Sequence, residues 1–142
     1  MTVQYDNPPG LGKPLGKYSH VSSAGGLVFV AGQVGVHADG TLAGPELPAQ
    51  MRQVFANIGA ALAGRGGGFG DVMKFTTYLT DASLLPSFYE TREELFAQLY
   101  PGGSYPPNTL LIIDRLVAPE YLLEVDAIAH VGEPEMAPES IN

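Results

Sequence analysis

The sequence of 142 residues contains no cysteine. This absence excludes disulfide bonds, thiolate nucleophiles and cysteine-ligated metal sites. Basic residues are also few: seven Lys and Arg stand against fifteen Asp and Glu, and the net charge is −8. Because the basic residues are scattered, no patch is available to grip a phosphate backbone, and we expect no nucleic-acid partner.

Long hydrophobic runs are missing as well. No run approaches the roughly 18 apolar residues of a membrane span, and the N-terminal residues lack the basic and apolar regions of a signal peptide. We therefore expect a cytoplasmic protein with no membrane partner.

The common motifs of cofactor and catalytic sites are absent. The chain has no GxGxxG after a strand, no GxxxxGK[ST], no HExxH and no GxSxG. His20, His37 and His130 lie far apart and lack the i, i+4 spacing of a helical metal site. We expect neither a cofactor nor a metal, since an isolated strand histidine is usually a surface or hydrogen-bonding residue.

The length fits one domain. Hydrophobic residues make up 45% and charged residues 15% of the chain, which is apolar for a domain of this size. The excess apolar surface predicts burial between identical subunits, and the alternative is a monomer with an apolar surface.

The first half of the chain predicts strands followed by a helix. Gly25-Gly26 separates strands Tyr18–Ser23 and Leu27–Val34 as a hairpin, and a short third strand is expected around Leu42. Pro48 opens a helix whose apolar stripe follows a 3.6-residue period. The stripe comprises Met51, Val54, Phe55, Ile58 and Leu62.

The second half predicts a strand over Val72–Thr80 and a helix that begins near Ser83 and ends before Pro101. The last strands are expected at Asn108–Asp114 and Tyr121–Val131. The predicted order is βββαβαβ, an α+β domain with one mixed sheet and two helices on one face. We expect the domain at residues 16–131, an extended arm at 1–15 and a flexible tail at 132–142.

Two carboxylates lie in the apolar strand segment LLEVDAIAHV. Glu124 and Asp126 are at i and i+2, so they share one face of the strand. A buried carboxylate that is not paired has its pKa raised toward neutrality, which suits a general acid or base. A carboxylate in an edge or interface salt bridge is the alternative.

Asn108 follows Pro106-Pro107, which stiffen the approach to the strand. Its amide offers two donors and an acceptor that could orient a substrate oxygen. An ordinary turn residue is the alternative.

Five segments together resemble the RidA (YjgF) family of reactive-intermediate deaminases, in the family's order and spacing over residues 16–131. They are GKYSHV at 16–21, LVFVAGQV at 27–34, QMRQVFANI at 50–58, DVMKFTTYLTD at 71–81 and LLEVDAIAH at 122–130. The resemblance implies a chorismate-mutase-like fold, a homotrimer whose sheets form a central barrel, and clefts between subunits that bind small metabolites.

The resemblance also implies site residues. Tyr18 and Glu124 match the family's tyrosine and glutamate around a hydrolytic water, and Gly32 matches its backbone glycine. Lys17 replaces a family proline and brings a positive charge near the cleft. Tyr105, beside the prolines, is also expected to bind substrate.

Asn108 stands where the family has an arginine that clamps the carboxylate of a 2-imino acid. A bidentate arginine contact stabilises a carboxylate by about 1.5–3 kcal/mol, whereas an amide gives one neutral bond. A cleft with Glu124 and no arginine would repel an anionic imino acid. Arg115 alternates to the other face of the strand, and Arg65 or Arg92 of a neighbouring subunit stays open as a replacement.

The sequence and the family resemblance lead to three hypotheses about function. The first is a RidA-like hydrolase of a C=N bond in a neutral or differently charged molecule, with Glu124 polarising water and Tyr18 and Asn108 orienting substrate. The second is a metabolite-binding protein that has lost deaminase activity. Ribonuclease activity or translation inhibition, attached to some relatives, is disfavoured by the net charge of −8.

Overall fold

The computed structural model describes residues 2–132. It contains one six-stranded sheet in the order β1-β2-β3-β6-β4-β5, in which only the β4–β5 pair is parallel. The elements are β1 Gln4–Asp6, β2 Val21–Ala24, β3 Leu27–Val34, α1 Leu47–Ala63, β4 Val72–Leu79, α2 Leu85–Leu99, β5 Asn108–Ile112 and β6 Leu123–His130. The predicted α+β class with one mixed sheet is confirmed.

The predicted order βββαβαβ differs from the structure in two details. Both of the last strands that the sequence predicts, over 108–114 and 121–131, are present as β5 and β6, so the complete order is βββαβαββ. The third N-terminal strand is β1, within the segment expected to be an extended arm, whereas Leu42 forms only an isolated bridge with Val36. Of the expected tail at 132–142, only Gly132 lies among the described residues.

Both helices cover the same face of the sheet, as predicted. Val30 on β3 and Ala127 on β6 are register partners that point into this layer and are almost fully buried. The α1 stripe packs there, and Phe96 of α2 contacts Phe55 of α1 and Phe75 of β4. No helix among residues 2–132 covers the opposite face of the sheet, which we call the uncovered face, and it carries Phe29, which is 48% exposed.

A β-bulge interrupts β3 where it pairs with β6. Val30 lies opposite Ala127 and Gln33 lies opposite Val125, so β3 holds one extra residue in this stretch. The bulge contains Ala31 and Gly32, and the Ala31 amide donates to the carbonyl of His20 at 2.8 Å. It therefore brings the backbone at Gly32 to the uncovered face. Within residues 2–132, no helix is long and apolar enough to cross a membrane.

Gln50 of α1 is fully buried and holds the entry to β6 in place. Its Nε2 donates to the carbonyls of Gly44 and Glu120 at 2.9 and 3.0 Å. Its Oε1 accepts from the amide of Leu122 at 2.9 Å. These bonds satisfy three backbone groups of two loops, and the register of β6 follows from them.

We predict that Gln50→Ala lowers the free energy of unfolding by about 2–4 kcal/mol, because it leaves buried backbone groups without partners and opens a cavity. Urea denaturation followed by circular dichroism measures the change. The matched control is Gln98→Ala at an exposed position of α2, expected to change stability by less than about 0.5 kcal/mol. Equal stability of the two variants would contradict the anchoring role.

Candidate functional site

The residues expected to form the site fall into two groups on opposite faces of the sheet. Glu124 pairs with Tyr78 across β4–β6 and faces away from the helices, while its neighbours Leu123 and Val125 are buried beneath them. Asn108 pairs with Phe75 across β4–β5 and faces the helix layer. One chain therefore does not bring the Glu124 and Asn108 side chains together.

The first group forms what we call the carboxylate groove, on the uncovered face. A cavity of about 530 Å³ is lined by Tyr18, Gly32 and Asp126 along with parts of β2, β3 and β6. Glu124 is not among the lining residues, but its carboxyl lies directly against Gly32, which is one of them. Gly32 is thus near both of the other residues matched through the family resemblance, Tyr18 across the cavity and Glu124 by direct approach.

Position 32 requires a glycine because the Glu124 carboxyl approaches its backbone closely. A Cβ atom at this position would lie 2.5 Å from Oε2 and 2.6 Å from Cδ of Glu124, closer than real Cβ contacts allow. The bulge and the missing side chain together make room for the carboxyl. Any larger residue would displace Glu124.

Burial raises the pKa of Glu124, and the nearby negative charge of Asp126 raises it further. No hydrogen bond or ion pair from residues 2–132 reaches this carboxyl. Burial also raises the pKa of Tyr78, whose hydroxyl donates to Oδ2 of Asp126 at 3.5 Å. Beside the groove there is thus a partly buried carboxyl group with a raised pKa and no partner among residues 2–132.

Tyr18 stands at one side of the groove with its ring edge-on to His20, the centroids 6.1 Å apart. The phenol oxygen accepts from the amide of Leu15, so its proton is free to be donated. His20 is a structural support: its Nε2 donates to the carbonyl of Gly12 and its Nδ1 accepts from Gln33, the tautomer that satisfies both partners.

The second group lines what we call the aromatic pocket, between α2 and the start of β5. The cavity of about 390 Å³ contains both Asn108 and Tyr105. Oδ1 of Asn108 accepts from the Thr77 hydroxyl at 2.8 Å, and Tyr105 stacks on Phe96 with ring centroids 6.0 Å apart. The remaining walls include Phe55, Phe75, Phe88, Arg92 and Glu93.

Of the cations considered as replacements at position 108, only Arg92 lines the aromatic pocket. Arg115 donates to the carbonyls of Leu116 and Val117 in its own loop. Arg65 donates to Gln4 near the N-terminal strand. Lys17 is exposed and lines neither the carboxylate groove nor the aromatic pocket.

Thr77 and Phe96 line the pocket, although the sequence analysis assigned no function to either residue. Thr77 did carry a signal, since it is the single polar residue on the buried face of β4, between Phe75 and Leu79. Phe96 carried no such signal, because an apolar residue in an amphipathic helix such as α2 is ordinarily a core residue. Within residues 2–132, no three His, Asp or Glu side chains converge as a metal site would require.

Comparison with known proteins places this geometry in a family. Residues 11–131 match the family model described as endoribonuclease L-PSP. A RutC family protein of Pyrococcus horikoshii is 34% identical over 119 residues, which cover 83% of this chain and 90% of that protein.

Solved structures have the same fold. RidA from an Antarctic Psychrobacter species superposes with a TM-score of 0.79 at 27% identity, covering 90% of this chain and 99% of that one. Escherichia coli TdcF, solved with bound serine, superposes with a TM-score of 0.82 at 24% identity, covering 91% and 99%. The chain therefore belongs to the endoribonuclease L-PSP family, the RidA (YjgF) family that its sequence segments resemble.

Proposed function

We propose that this protein is a small-molecule hydrolase that acts on a C=N bond, with Glu124 as its general base and acid. The observation that carries the proposal is the Glu124 carboxyl, half-buried against the backbone of Gly32 with a raised pKa and no protein partner among residues 2–132. A partly buried carboxyl with a raised pKa is a better proton acceptor than an ordinary surface carboxylate and can exchange a proton with a bound water.

The chemistry is an addition followed by an elimination. Ionised Glu124 takes a proton from water, whose oxygen bonds to the carbon of the protonated imine while the second electron pair of the C=N bond moves to the nitrogen. The resulting carbinolamine then loses ammonia or an amine as the C–N bond breaks and the carbonyl forms. Protonated Glu124 first supplies the proton that the leaving nitrogen needs, and the ionised carboxylate then takes the hydroxyl proton as the carbonyl forms. The Tyr18 hydroxyl orients the substrate.

A complete site is proposed to need two copies of the chain. Glu124 and Asn108 face opposite sides of one sheet, so one small molecule touches both only when the carboxylate groove of one copy meets the aromatic pocket of another. The exposed apolar side chains Phe29 and Leu111 on the uncovered face favour such packing. We propose a homotrimer with clefts between subunits, located in the cytoplasm.

The charge of the groove favours a reacting group that is neutral or cationic. Glu124 and Asp126 lie side by side on β6, and no Lys or Arg lines the groove. A carboxylate attached directly to the imine carbon would be repelled there. A protonated imine, whose carbon is also the better electrophile, is the substrate form that this charge attracts.

A protein that binds a metabolite without turning it over is the second candidate. The observation that favours it is Asn108, whose carbonyl oxygen is held by Thr77, so that position 108 supplies no positive charge. We place it second because a pure binder has no need of an unpaired carboxyl beside Gly32. Ribonuclease activity is not proposed, since the net charge is −8.

We expect Glu124→Gln to reduce imine hydrolysis by about 100-fold or more, because the amide cannot accept a proton from water. Imines generated in place by an amine oxidase or an amino-acid oxidase serve as substrates, and carbonyl release above the spontaneous rate is followed. Glu90→Gln, at an exposed position of α2, is the matched control. If the wild type accelerates the hydrolysis of neither kind of imine, the result would instead support a protein that binds a metabolite without turning it over.

We expect Asp126→Asn to lower the pKa of Glu124, since it removes one of the two causes that raise it. Because the ionised form is the base, hydrolysis increases with pH through this pKa, and the variant's profile shifts to lower pH. Carbon NMR titration of the Glu124 carboxyl measures the pKa directly. Asp114→Asn, at an exposed position, is the control, and an unchanged Glu124 pKa in Asp126→Asn would remove the basis for this coupling.

Mixing two inactive variants tests the composite site. Glu124→Gln disables the groove, and Asn108→Trp fills the aromatic pocket. When the two are unfolded, mixed in equal amounts and refolded, about a quarter of the clefts in randomly mixed homotrimers pair an intact groove with an intact pocket. Recovery of activity to near that fraction of the wild type is expected, and no recovery would indicate that one chain holds the complete site.

A further inference from the structure

The aromatic pocket combines flat apolar walls with two nitrogen donors that have no acceptor within the described part of the chain. The walls come mainly from phenylalanine side chains, and the donors come from Arg92 and Asn108. Such a combination of apolar surface with a few placed polar groups is typical of small-molecule sites. Its chemistry identifies a class of ligand.

Arg92 brings a positive charge held in position by aromatic rings. Its guanidinium carbon lies 5.2 Å from the ring centroid of Phe88 and 5.1 Å from that of Tyr89. The one ion pair among residues 2–132 joins Arg52 and Glu94, so Arg92 has no carboxylate partner there. Glu93 also lines the cavity but is exposed and does not pair with Arg92.

Asn108 adds an oriented amide. Because its Oδ1 accepts from the Thr77 hydroxyl, the side chain is turned so that both N–H bonds of Nδ2 remain for a ligand. A carboxylate has two acceptor oxygens and can bind both an amide and a guanidinium. An ammonium group would have no acceptor at these two side chains.

The apolar part of the aromatic pocket suits the aromatic ring of a ligand. Tyr105 is 61% exposed and lies nearly parallel to Phe96, with an interplanar angle of 23°. Phe75 and Phe88 close the inner side and are buried. Aromatic ligands gain from offset or edge-on contacts with such rings in addition to the area they bury.

We propose that the aromatic pocket binds the carboxylate of an aromatic acid through Arg92 and Asn108, with the ring of that acid against Tyr105 and Phe96. The proposal rests on the proposed function in one respect: it takes the pocket to hold the part of the substrate remote from the C=N bond. The substrate is then an imine with an aromatic body and a carboxylate separated from the reacting carbon.

Phenylpropanoate, which has no C=N bond, is the probe, and its neutral amide, phenylpropanamide, is the matched ligand. Calorimetry gives the dissociation constants of both for the wild type, Arg92→Gln and the control Arg52→Gln. We expect Arg92→Gln to weaken phenylpropanoate binding by about tenfold or more, as loss of a charged hydrogen bond implies. Arg52→Gln should leave it unchanged, and phenylpropanamide should bind the wild type and Arg92→Gln alike.

Three results would overturn the proposal: no phenylpropanoate binding by the wild type at millimolar concentration, equal binding by Arg92→Gln, or side-chain amide NMR shifts that leave Asn108 unaffected. Glu124→Gln separates this proposal from the proposed hydrolysis, since it should abolish turnover and keep the affinity for phenylpropanoate. Hydrolysis without Arg92-dependent binding would overturn the ligand class alone. Arg92-dependent binding without hydrolysis would leave the ligand class standing and overturn the enzyme.

Discussion

The alternation of side chains along β6 is the constraint on which the rest of the structure depends. Leu123, Val125 and Ala127 point into the helix layer and are fully buried, so Glu124 and Asp126 must point to the uncovered face. A shift of one residue would bury both carboxylates in the core at a cost of several kcal/mol. Three hydrogen bonds from Gln50 hold the backbone at the start of this strand and so favour the observed register.

The carboxylate groove follows from this constraint together with the bulge in β3. The extra residue brings Gly32 against Glu124, and the missing side chain of Gly32 leaves space for the carboxyl. Desolvation without a compensating hydrogen bond then raises the pKa of Glu124, and Asp126 adds to the effect. Backbone geometry thus sets the environment of the Glu124 carboxyl, and among residues 2–132 no Lys or Arg lines the groove beside it.

Asn108 supplies an amide and no charge at the start of β5. Its side chain lies on the helix side of the sheet, where the Thr77 hydroxyl donates a hydrogen bond to it and aromatic rings line the adjoining cavity. The positive charge near this position comes instead from Arg92 on α2, which packs against the rings of Phe88 and Tyr89. The amide and the cation that line this cavity therefore come from two different elements, β5 and α2.

Local patterns in the sequence determined most of the elements: both helices, the hairpin at Gly25-Gly26, strand β4 and the shared face of Glu124 and Asp126 follow from residue periodicity and turn chemistry. Two short elements could not be found this way. Strand β1 has three residues and is held by backbone bonds to β2 without an apolar pattern of its own, and Leu42 has an apolar side chain but pairs at one bridge only. Segment order along the chain also indicated the family, which the comparisons then showed.

Only the tertiary structure decided which functional side chains meet. Asn108 pairs with Phe75 and Glu124 pairs with Tyr78, so the two side chains lie on opposite faces of one sheet. Arg92 joins Asn108 because α2 packs beside the start of β5, a contact that no local pattern encodes. The physical reason is that periodicity specifies the direction of a side chain relative to its own strand or helix, whereas its neighbours are chosen by the packing of segments far apart in sequence.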